Sequence, residues 1–214
     1  MIPVYCISRG RALCATTPKL VPGCVLVVKQ AEREAYKSSF PSSRILPTPE
    51  GSLCRDINAI LDDANGEWIA ILDDDLVRVA TAQERDTAID PMPVIESLSK
   101  KAAETESLIA GTRRVGGRTL AESGYNKPMT QLLIVKGGLP VRVHDCVHGR
   151  WWMDLICQII ESGGRTLVWN WVNRVFRNPM GSVSISHDKE RACIEKQYLT
   201  SRYPLAAEWC SHGW

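Results

Sequence analysis

The chain has 214 residues, 44% of them hydrophobic, and a formal net charge of +2, which suits one α/β domain with a full core and sets it apart from strongly basic dedicated nucleic-acid binders. No stretch approaches the ~20 apolar residues of a membrane span, and the start, Met1-Ile2-Pro3-Val4-Tyr5-Cys6-Ile7-Ser8, has neither a basic n-region nor a long apolar h-region, so a cytoplasmic protein without a membrane partner is expected. Eight cysteines lie scattered with no C-x-x-C pair, which argues against a zinc knuckle or a disulfide framework and for reduced, buried thiols.

In chain order, Val4 to Ser8 reads as a first strand, Val25 to Val28 as a second and Arg44 to Leu46 as a short third. Between Gly51 and Gly66 the spacing predicts a helix. Ser52 stands at its N-cap, Leu53, Ile57, Ile60 and Leu61 form one apolar stripe, Arg55, Asn58 and Asp62 share another face, and Asn65-Gly66 stops it. The short apolar run Trp68-Ile69-Ala70-Ile71-Leu72 then reads as a strand buried on both faces of a parallel sheet. Pro91 to Ser107 is a second long helix with proline in its first turn. Leu108 to Val115 and Gln131 to Val135 read as strands, separated by Gly116-Gly117 and the polar Tyr125-Asn126-Lys127. Trp151 to Ser162 is a helix ended by Gly163-Gly164, Thr166 to Trp171 a last strand, and the chain turns irregular at Asn178-Pro179-Met180-Gly181. This alternation predicts a mostly parallel, Rossmann-like sheet flanked by helices in a single α/β domain.

The most informative residues are Asp73-Asp74-Asp75, at the carboxyl end of the apolar strand. Ligands of open α/β sheets sit just outside those ends. Three adjacent carboxylates repel one another, and a hard divalent cation, Mg²⁺ or Mn²⁺, relieves them while taking its remaining ligands from water and phosphate. Strand alternation places 73 and 75 on one side and 74 on the other. A Ca²⁺ loop of the EF-hand type is the rival reading, but its alternating acids, central glycine and distal Glu are missing.

Other candidates surround this tip. Ser8, Arg9 and Arg11 follow the first strand, where a loop approaches a base and its ribose; a solvated turn is the bland alternative. Arg55 offers a planar fork to phosphate or to the first aspartate, or pairs with Asp62 on the surface. Asp154, beside Leu155, is placed for the desolvation that makes a carboxylate a better proton acceptor, though a first-turn acid also suits the helix dipole. Trp151, Trp152, Trp169 and Trp171 are interleaved with Arg150, Arg165, Arg174 and Arg177. That mixture suits a stacked ring with phosphates gripped around it, and core packing is the competing explanation. Charge is uneven: residues 1–107 carry 12 Lys+Arg against 16 Asp+Glu, and residues 108–214 carry 14 against 8, so a polyanion would dock on the second half.

The segment Gly51-Ser52-Leu53-Cys54-Arg55-Asp56-Ile57-Asn58-Ala59-Ile60-Leu61, followed by Gly66-Glu67-Trp68 through Asp75, resembles the nucleotide-sugar half of a GT-A glycosyltransferase: Arg and Asn on a helix, then a strand ending in Asp-x-Asp. Trp151-Trp152-Met153-Asp154-Leu155 resembles the acidic helix start that supplies the base in inverting family 2 members, with Met153 where many relatives carry a second acid. His187 is placed like a late metal-binding histidine. The resemblance runs in order over about residues 2–190. It implies a domain over 1–190, divided into a nucleotide-sugar half (1–107) and an acceptor half (108–190), and a C-terminal extension over 191–214.

The short length and Leu72-Asp73-Asp74-Asp75-Leu76 look most like the small phage TET-associated glycosyltransferases, which are associated with attaching sugars to 5-hydroxymethylpyrimidines in DNA. The resemblance then implies Mn²⁺ or Mg²⁺ held by Asp75 and His187. It implies a nucleotide-sugar donor, foremost a UDP-sugar, against Ser8, Arg9, Arg11, Arg55, Asn58, Asp73 and Asp74. Asp154 would be the base, and Arg114, Arg150, Trp151 and Trp152 would meet a hydroxymethylated DNA acceptor. A family 2-like transferase acting on a surface polysaccharide is the alternative within catalysis, and a sugar-nucleotide or DNA-binding module without chemistry is the alternative outside it. A nucleotidyltransferase shares a similar sheet, but no Gly-rich phosphate loop with Arg or Lys follows the first strand.

Overall fold

β1 (Val4–Ile7), β2 (Val25–Lys29), β3 (Ile45–Thr48) and β4 (Trp68–Asp73) are short apolar runs, and those of β1 and β2 are buried at every position. Strands of that kind need cover on both faces, and a parallel sheet between helices supplies it. In the computed structural model, which describes residues 1–81, 88–112, 123–126, 129, 131–147, 149–169, 172–177 and 189–210, they join β6 (Ile109–Thr112), β7 (Gly124–Tyr125), β8 (Gln131–Lys136) and β9 (Thr166–Val168) in one sheet ordered β3-β2-β1-β4-β8-β6-β9-β7. Strands β1 to β4 are mutually parallel, β8 runs against both β4 and β6, β9 is parallel to β6, and β7 is antiparallel to β9. The expected mostly parallel α/β sheet is therefore present, with β8 and β7 reversed.

Period-2 alternation divides the core into two halves. Tyr5, Ile7, Val25, Val27, Ile69 and Ile71 face α3 (Leu53–Asp63) and α5 (Trp151–Glu161), while Val4, Cys6, Leu26, Val28, Ala70 and Leu72 face α2 (Arg33–Ser39) and α4 (Pro91–Glu104). Helix α3 forms as its apolar stripe requires, with Ile57 and Ile60 fully buried, and Asn65 and Gly66 adopt left-handed conformations just past its end. Ser52 occupies its N-cap position with extended backbone, but the hydroxyl makes no cap hydrogen bond and donates to Asp145 Oδ1 at 3.2 Å instead. Asp90 caps α4 by accepting from Met92 N–H at 2.9 Å, and that helix ends at Glu104, three residues before the expected Ser107.

Several elements carry no expectation from the sequence. After the turn at Asp74-Asp75 the chain returns as β5 (Leu76–Thr81), which pairs antiparallel with β10 (Val172–Arg177) in a separate two-stranded sheet. The short helix α1 (Thr17–Leu20) closes the loop after β1. At the C-terminal end, α6 (Lys189–Arg202) and α7 (Pro204–Cys210) return to the body, and Leu199, Tyr203 and Ala206 are buried in the α3–α5 half of the core. Among the described residues no helix is long and apolar enough to cross a membrane.

Candidate functional site

The carboxyl ends of β1, β2 and β3 converge on Asp56, in the first turn of α3 and 1% exposed. Its Oδ1 accepts from Lys29 Nζ at 2.7 Å and Thr48 Oγ1 at 2.6 Å, and its Oδ2 accepts from Arg9 Nε at 3.0 Å. Two cations and a hydroxyl thus saturate a buried carboxylate, as burial of charge demands. Arg9 also donates to Gly51 O at 3.1 Å, and the exposed Arg55 donates to Glu50 O at 3.4 Å. Gly51 has φ +135°, and a Cβ there would lie 3.2 Å from the Arg55 side chain, so only glycine suits the position. Arg9 and Arg55 consequently flank one turn at the sheet's carboxyl edge.

The three aspartates at the tip of β4 separate by environment. Asp74 is 5% exposed and turned inward: Arg11 Nη1 donates to its Oδ1 at 2.8 Å and Ser8 Oγ donates to its Oδ2. Burial pushes its carboxyl up, against the pull of Ser8 and Arg11. Ser8 Oγ also lies 2.5 Å from Tyr36 OH, which accepts from Arg11 N–H at 3.0 Å. Three of the residues expected at the nucleotide, Ser8, Arg11 and Asp74, are therefore bonded to one another in the loop's own framework. Asp74 O accepts from Thr16 and Thr17 N–H, and Thr17 Oγ1 donates to Asp73 O at 2.6 Å while accepting from Leu76 N–H at 2.9 Å, so α1 pins the turn. Asp73 is exposed, and Asp75 stands in the turn at 9% exposure.

A second centre lies at the N-terminus of α5. That helix precedes β9, which is parallel to β6, so its start is at the same carboxyl edge. Asp154 there is fully buried, 0% exposed. His144 N–H donates to its Oδ2 at 2.7 Å, His144 Nδ1 lies 2.9 Å from the same oxygen, and Tyr203 OH donates to Oδ1 at 3.1 Å. Burial, with the Asp154 charge beside it, pushes the Tyr203 phenol upward, so it stays a donor. The His144 side chain keeps 31% exposure, with Tyr198 edge-on at 5.9 Å between ring centres.

One face of α3 holds the loop that carries His144. Asp62 accepts from Arg142. Asn58 clasps Val143 with two hydrogen bonds, donating to its O at 3.0 Å and accepting from its N–H at 2.9 Å, and Cys54 Sγ donates to Val147 O. Residues 54, 58 and 62 are four apart, one turn each, so the helix acts as a rail under residues 142–147. Burial pushes the Cys54 thiol up to about 11, which keeps it a donor. Asn58, expected at the nucleotide, is thus engaged with a backbone, and α3 ties the Arg9 loop to the His144 loop.

The remaining candidates disperse. Trp151 is 8% exposed in the core, Trp152 is partly buried against the same half, and Trp169 packs against the opposite half. Arg150 is half-buried at the N-cap of α5. Arg165 precedes β9 at the amino edge, where its guanidinium lies 4.9 Å from the Tyr125 ring centre and donates to Thr105 O. It does not share a pocket with the α5 start, because it lies at the far end of the sheet. Arg114, His187 and Trp171 lie outside the described residues, as do the side chains of Arg174 and Arg177.

Lys29, Thr48, Asp56, His144 and Tyr203 were not singled out by sequence reasoning. Only Lys29 carried a local signal, a charge closing an otherwise apolar strand. Among the described residues no group of three His, Cys, Asp or Glu side chains is arranged to hold a metal. Asp73 and Asp75 carry hard oxygens of the kind a divalent cation takes, and each also has a partner within the protein.

No protein-family model and no curated protein matches the chain. Solved structures do. S. aureus TarS 1–349 superposes with a TM-score of 0.56 at 11% identity over 94% of this chain and 65% of that one, so the chain spans just under two thirds of its length. Glucosyl-3-phosphoglycerate synthase from Mycobacterium tuberculosis, in complex with Mg²⁺ and UDP, gives 0.54 at 12% identity over 96% and 80%. A nucleotidyl transferase from Methanothermobacter thermautotrophicus gives 0.50 at 15% identity over 94% and 99%. At such identities the likeness shows the fold, a GT-A-like α/β sheet that sugar and nucleotidyl transferases share.

Proposed function

We propose that the chain transfers a sugar from a nucleotide-sugar donor to a hydroxyl acceptor with inversion, and that the acceptor is a 5-hydroxymethylpyrimidine in phage DNA. The observation that carries the transferase reading is the gathering at one sheet edge of the Asp73–Asp75 turn, the Arg9–Arg55 pair and the His144–Asp154 pair, with α3 bracing both loops. The synthase solved with Mn²⁺, UDP-glucose and phosphoglyceric acid shares this fold, with a TM-score of 0.53, which supports a UDP-sugar and a divalent metal. Asp73 and Asp75 would hold the cation, and when bound it would offset charge on the departing nucleoside diphosphate.

The chain's own residues do the rest. The exposed Arg55 offers its planar fork to the diphosphate, while Arg9, engaged with Asp56 and Gly51 O, holds the turn beside it. The inward ion pair of Asp74 with Arg11 keeps the β4 turn in shape without adding a third repelling charge to the metal site. The His144–Asp154 pair receives the proton of the attacking hydroxyl. A DNA acceptor is supported by the basic excess of residues 108–214 and by the sequence resemblance. The target base would leave the stack at a cost of about a few kcal/mol.

Mass spectrometry of a hydroxymethylated oligonucleotide after incubation with a panel of nucleotide sugars and Mn²⁺ tests this reading. A sugar adduct that disappears in Asp75→Asn, with the fold retained by circular dichroism, is the expected result. An unmodified oligonucleotide together with a glycosylated glycan primer would move the acceptor to a polysaccharide. Donor uptake without transfer to either acceptor would reduce the chain to a binding module.

A further inference from the structure

We propose that His144 Nε2, rather than the Asp154 carboxylate, accepts the proton of the attacking hydroxyl, with Asp154 as the positioning residue behind it; this rests on the glycosyltransferase reading above. Asp154 is sealed. It is 0% exposed, and both its oxygens are taken by donors: the His144 N–H and Nδ1, and the Tyr203 hydroxyl. An acceptor hydroxyl cannot reach it without expelling one of them. His144 is the one member of this cluster with both a titratable ring and access to solvent, at 31% exposure.

In the proposed arrangement Asp154 acts as a carboxylate. An ionised carboxylate is acceptor-only, so its bond to Nδ1 requires the proton on Nδ1 and leaves the lone pair on Nε2. Among the described residues Nε2 makes no hydrogen bond; the ring's contacts run through Nδ1 and through an edge-on Tyr198 and a tilted Tyr203. The loop is held on both sides of the ring, by Asn58 at Val143 and by Ser52 at Asp145, so the imidazole is aimed from the same helix that braces Arg9.

In the step itself the acceptor oxygen bonds to the anomeric carbon as the bond from that carbon to the diphosphate oxygen breaks, and the bonding pair leaves with the diphosphate. The hydroxyl proton moves to Nε2, giving an imidazolium whose charge Asp154 stabilises, and then passes to water. The products are the glycoside, the nucleoside diphosphate and one proton. Asp154 itself stays ionised throughout, as a carboxylate behind a catalytic imidazole does.

The test compares His144→Gln, His144→Gly and Asp154→Asn with the wild type. Gln keeps an amide N–H toward Asp154, so the cluster stays satisfied while the base is lost. A kcat lower by about 10²–10⁴-fold in His144→Gln, at unchanged calorimetric affinity for UDP-sugar with Mn²⁺, is expected, as is partial recovery of His144→Gly by added imidazole. Nitrogen-15 imidazole spectra should show the Nδ1–H form of His144 in the wild type and its loss in Asp154→Asn. His144→Gln turning over within about 3-fold of the wild type while Asp154→Asn is inactive would make Asp154 the direct base and overturn the proposal. An Nε2–H ring in the wild type would overturn it independently of activity. A wild type that binds no nucleotide sugar and transfers none defeats the underlying reading instead, which the spectra distinguish.

Discussion

Asp56 and Asp154 are two carboxylates buried to 1% and 0% exposure at the same sheet edge, and their partners give them opposite uses. Asp56 meets the ammonium of Lys29 and the guanidinium of Arg9, two ion-pair partners that close it off. Asp154 meets an amide, a phenol and an imidazole, and of these only the imidazole carries a second ring nitrogen that can act on another molecule. The first arrangement fixes loops, whereas the second aims a ring. Burial of an acid at a ligand-binding edge is therefore a poor guide to chemistry until its donors are named.

Removing each acid's partners exposes the difference. Asp56→Ala strands Lys29, whose side chain is 7% exposed, together with Arg9, and breaking a buried pair in this way costs about 3–5 kcal/mol. A urea midpoint lowered by that free energy divided by the slope, with the slope unchanged, is the expected result. The double change Asp56→Leu with Lys29→Met should recover the part due to Lys29, because an apolar pair of similar size carries no desolvation penalty, while the 36% exposed Arg9 turns to solvent. A single variant as stable as the wild type would show that Asp56 is not the knot joining β1, β2 and α3.

At the other acid the perturbation is smaller. Tyr203→Phe removes one donor to Asp154 and leaves both from His144, so stability should drop by about 1.5–3 kcal/mol, as for a hydrogen bond to a charged group. Because burial holds the Tyr203 phenol above the ordinary tyrosine value, its contribution is fully present below that value and is lost only as pH rises through the raised one. Turnover should change by no more than a few-fold, since the phenol is buried and bonds Asp154 and not Nε2. A collapse of kcat as deep as that of His144→Gln would merge the two roles and blur the contrast with Asp56.

What the sequence made legible follows from which signals are local. β1, β2, β4, α3 and α5 announce themselves by apolar runs and stripes that need no distant partner to interpret, and the stop at Asn65-Gly66 is a property of two residues. The Asp56 cluster draws on positions 9, 29, 48 and 56, and the Asp154 cluster on 144, 154 and 203, so neither exists as a spacing. β5 shows no period-2 alternation in Leu76-Val77-Arg78-Val79, where Leu76 and Val79 are buried and Val77 is exposed, and its partner β10 lies nearly a hundred residues on. Asn58 shows the general limit. Its place on a helix before an acidic strand was readable, but its clasp on Val143 depends on where a loop eighty-five residues later comes to rest.

At the amino edge Arg44 pairs with Asp63 at the end of α3, and this exposed pair sharpens the contrast most gently. The side chains are 53% and 25% exposed, so the interaction is worth only about 0.2–1 kcal/mol. The Arg44 guanidinium holds the Asp63 carboxyl below the usual carboxylate value, and the Tyr5 hydroxyl donates to it at 2.6 Å; burial, helped by Asp63, pushes the Tyr5 phenol up to about 12, so it remains a donor. A depressed acid contributes stability above its unfolded value of about 3.9 and loses it as pH falls through the lower folded one. Asp74 runs the other way: with its carboxyl raised, its contribution is present below the unfolded value and is lost as pH rises through the folded one. Arg44→Met should therefore cost its fraction of a kcal/mol at neutral pH and flatten acid unfolding only below about pH 4. Acid titration followed by circular dichroism, with the variant and wild type converging at the lowest pH, would assign that slope to the amino edge and separate it from the buried turn at Asp74, whose contribution has the opposite sign.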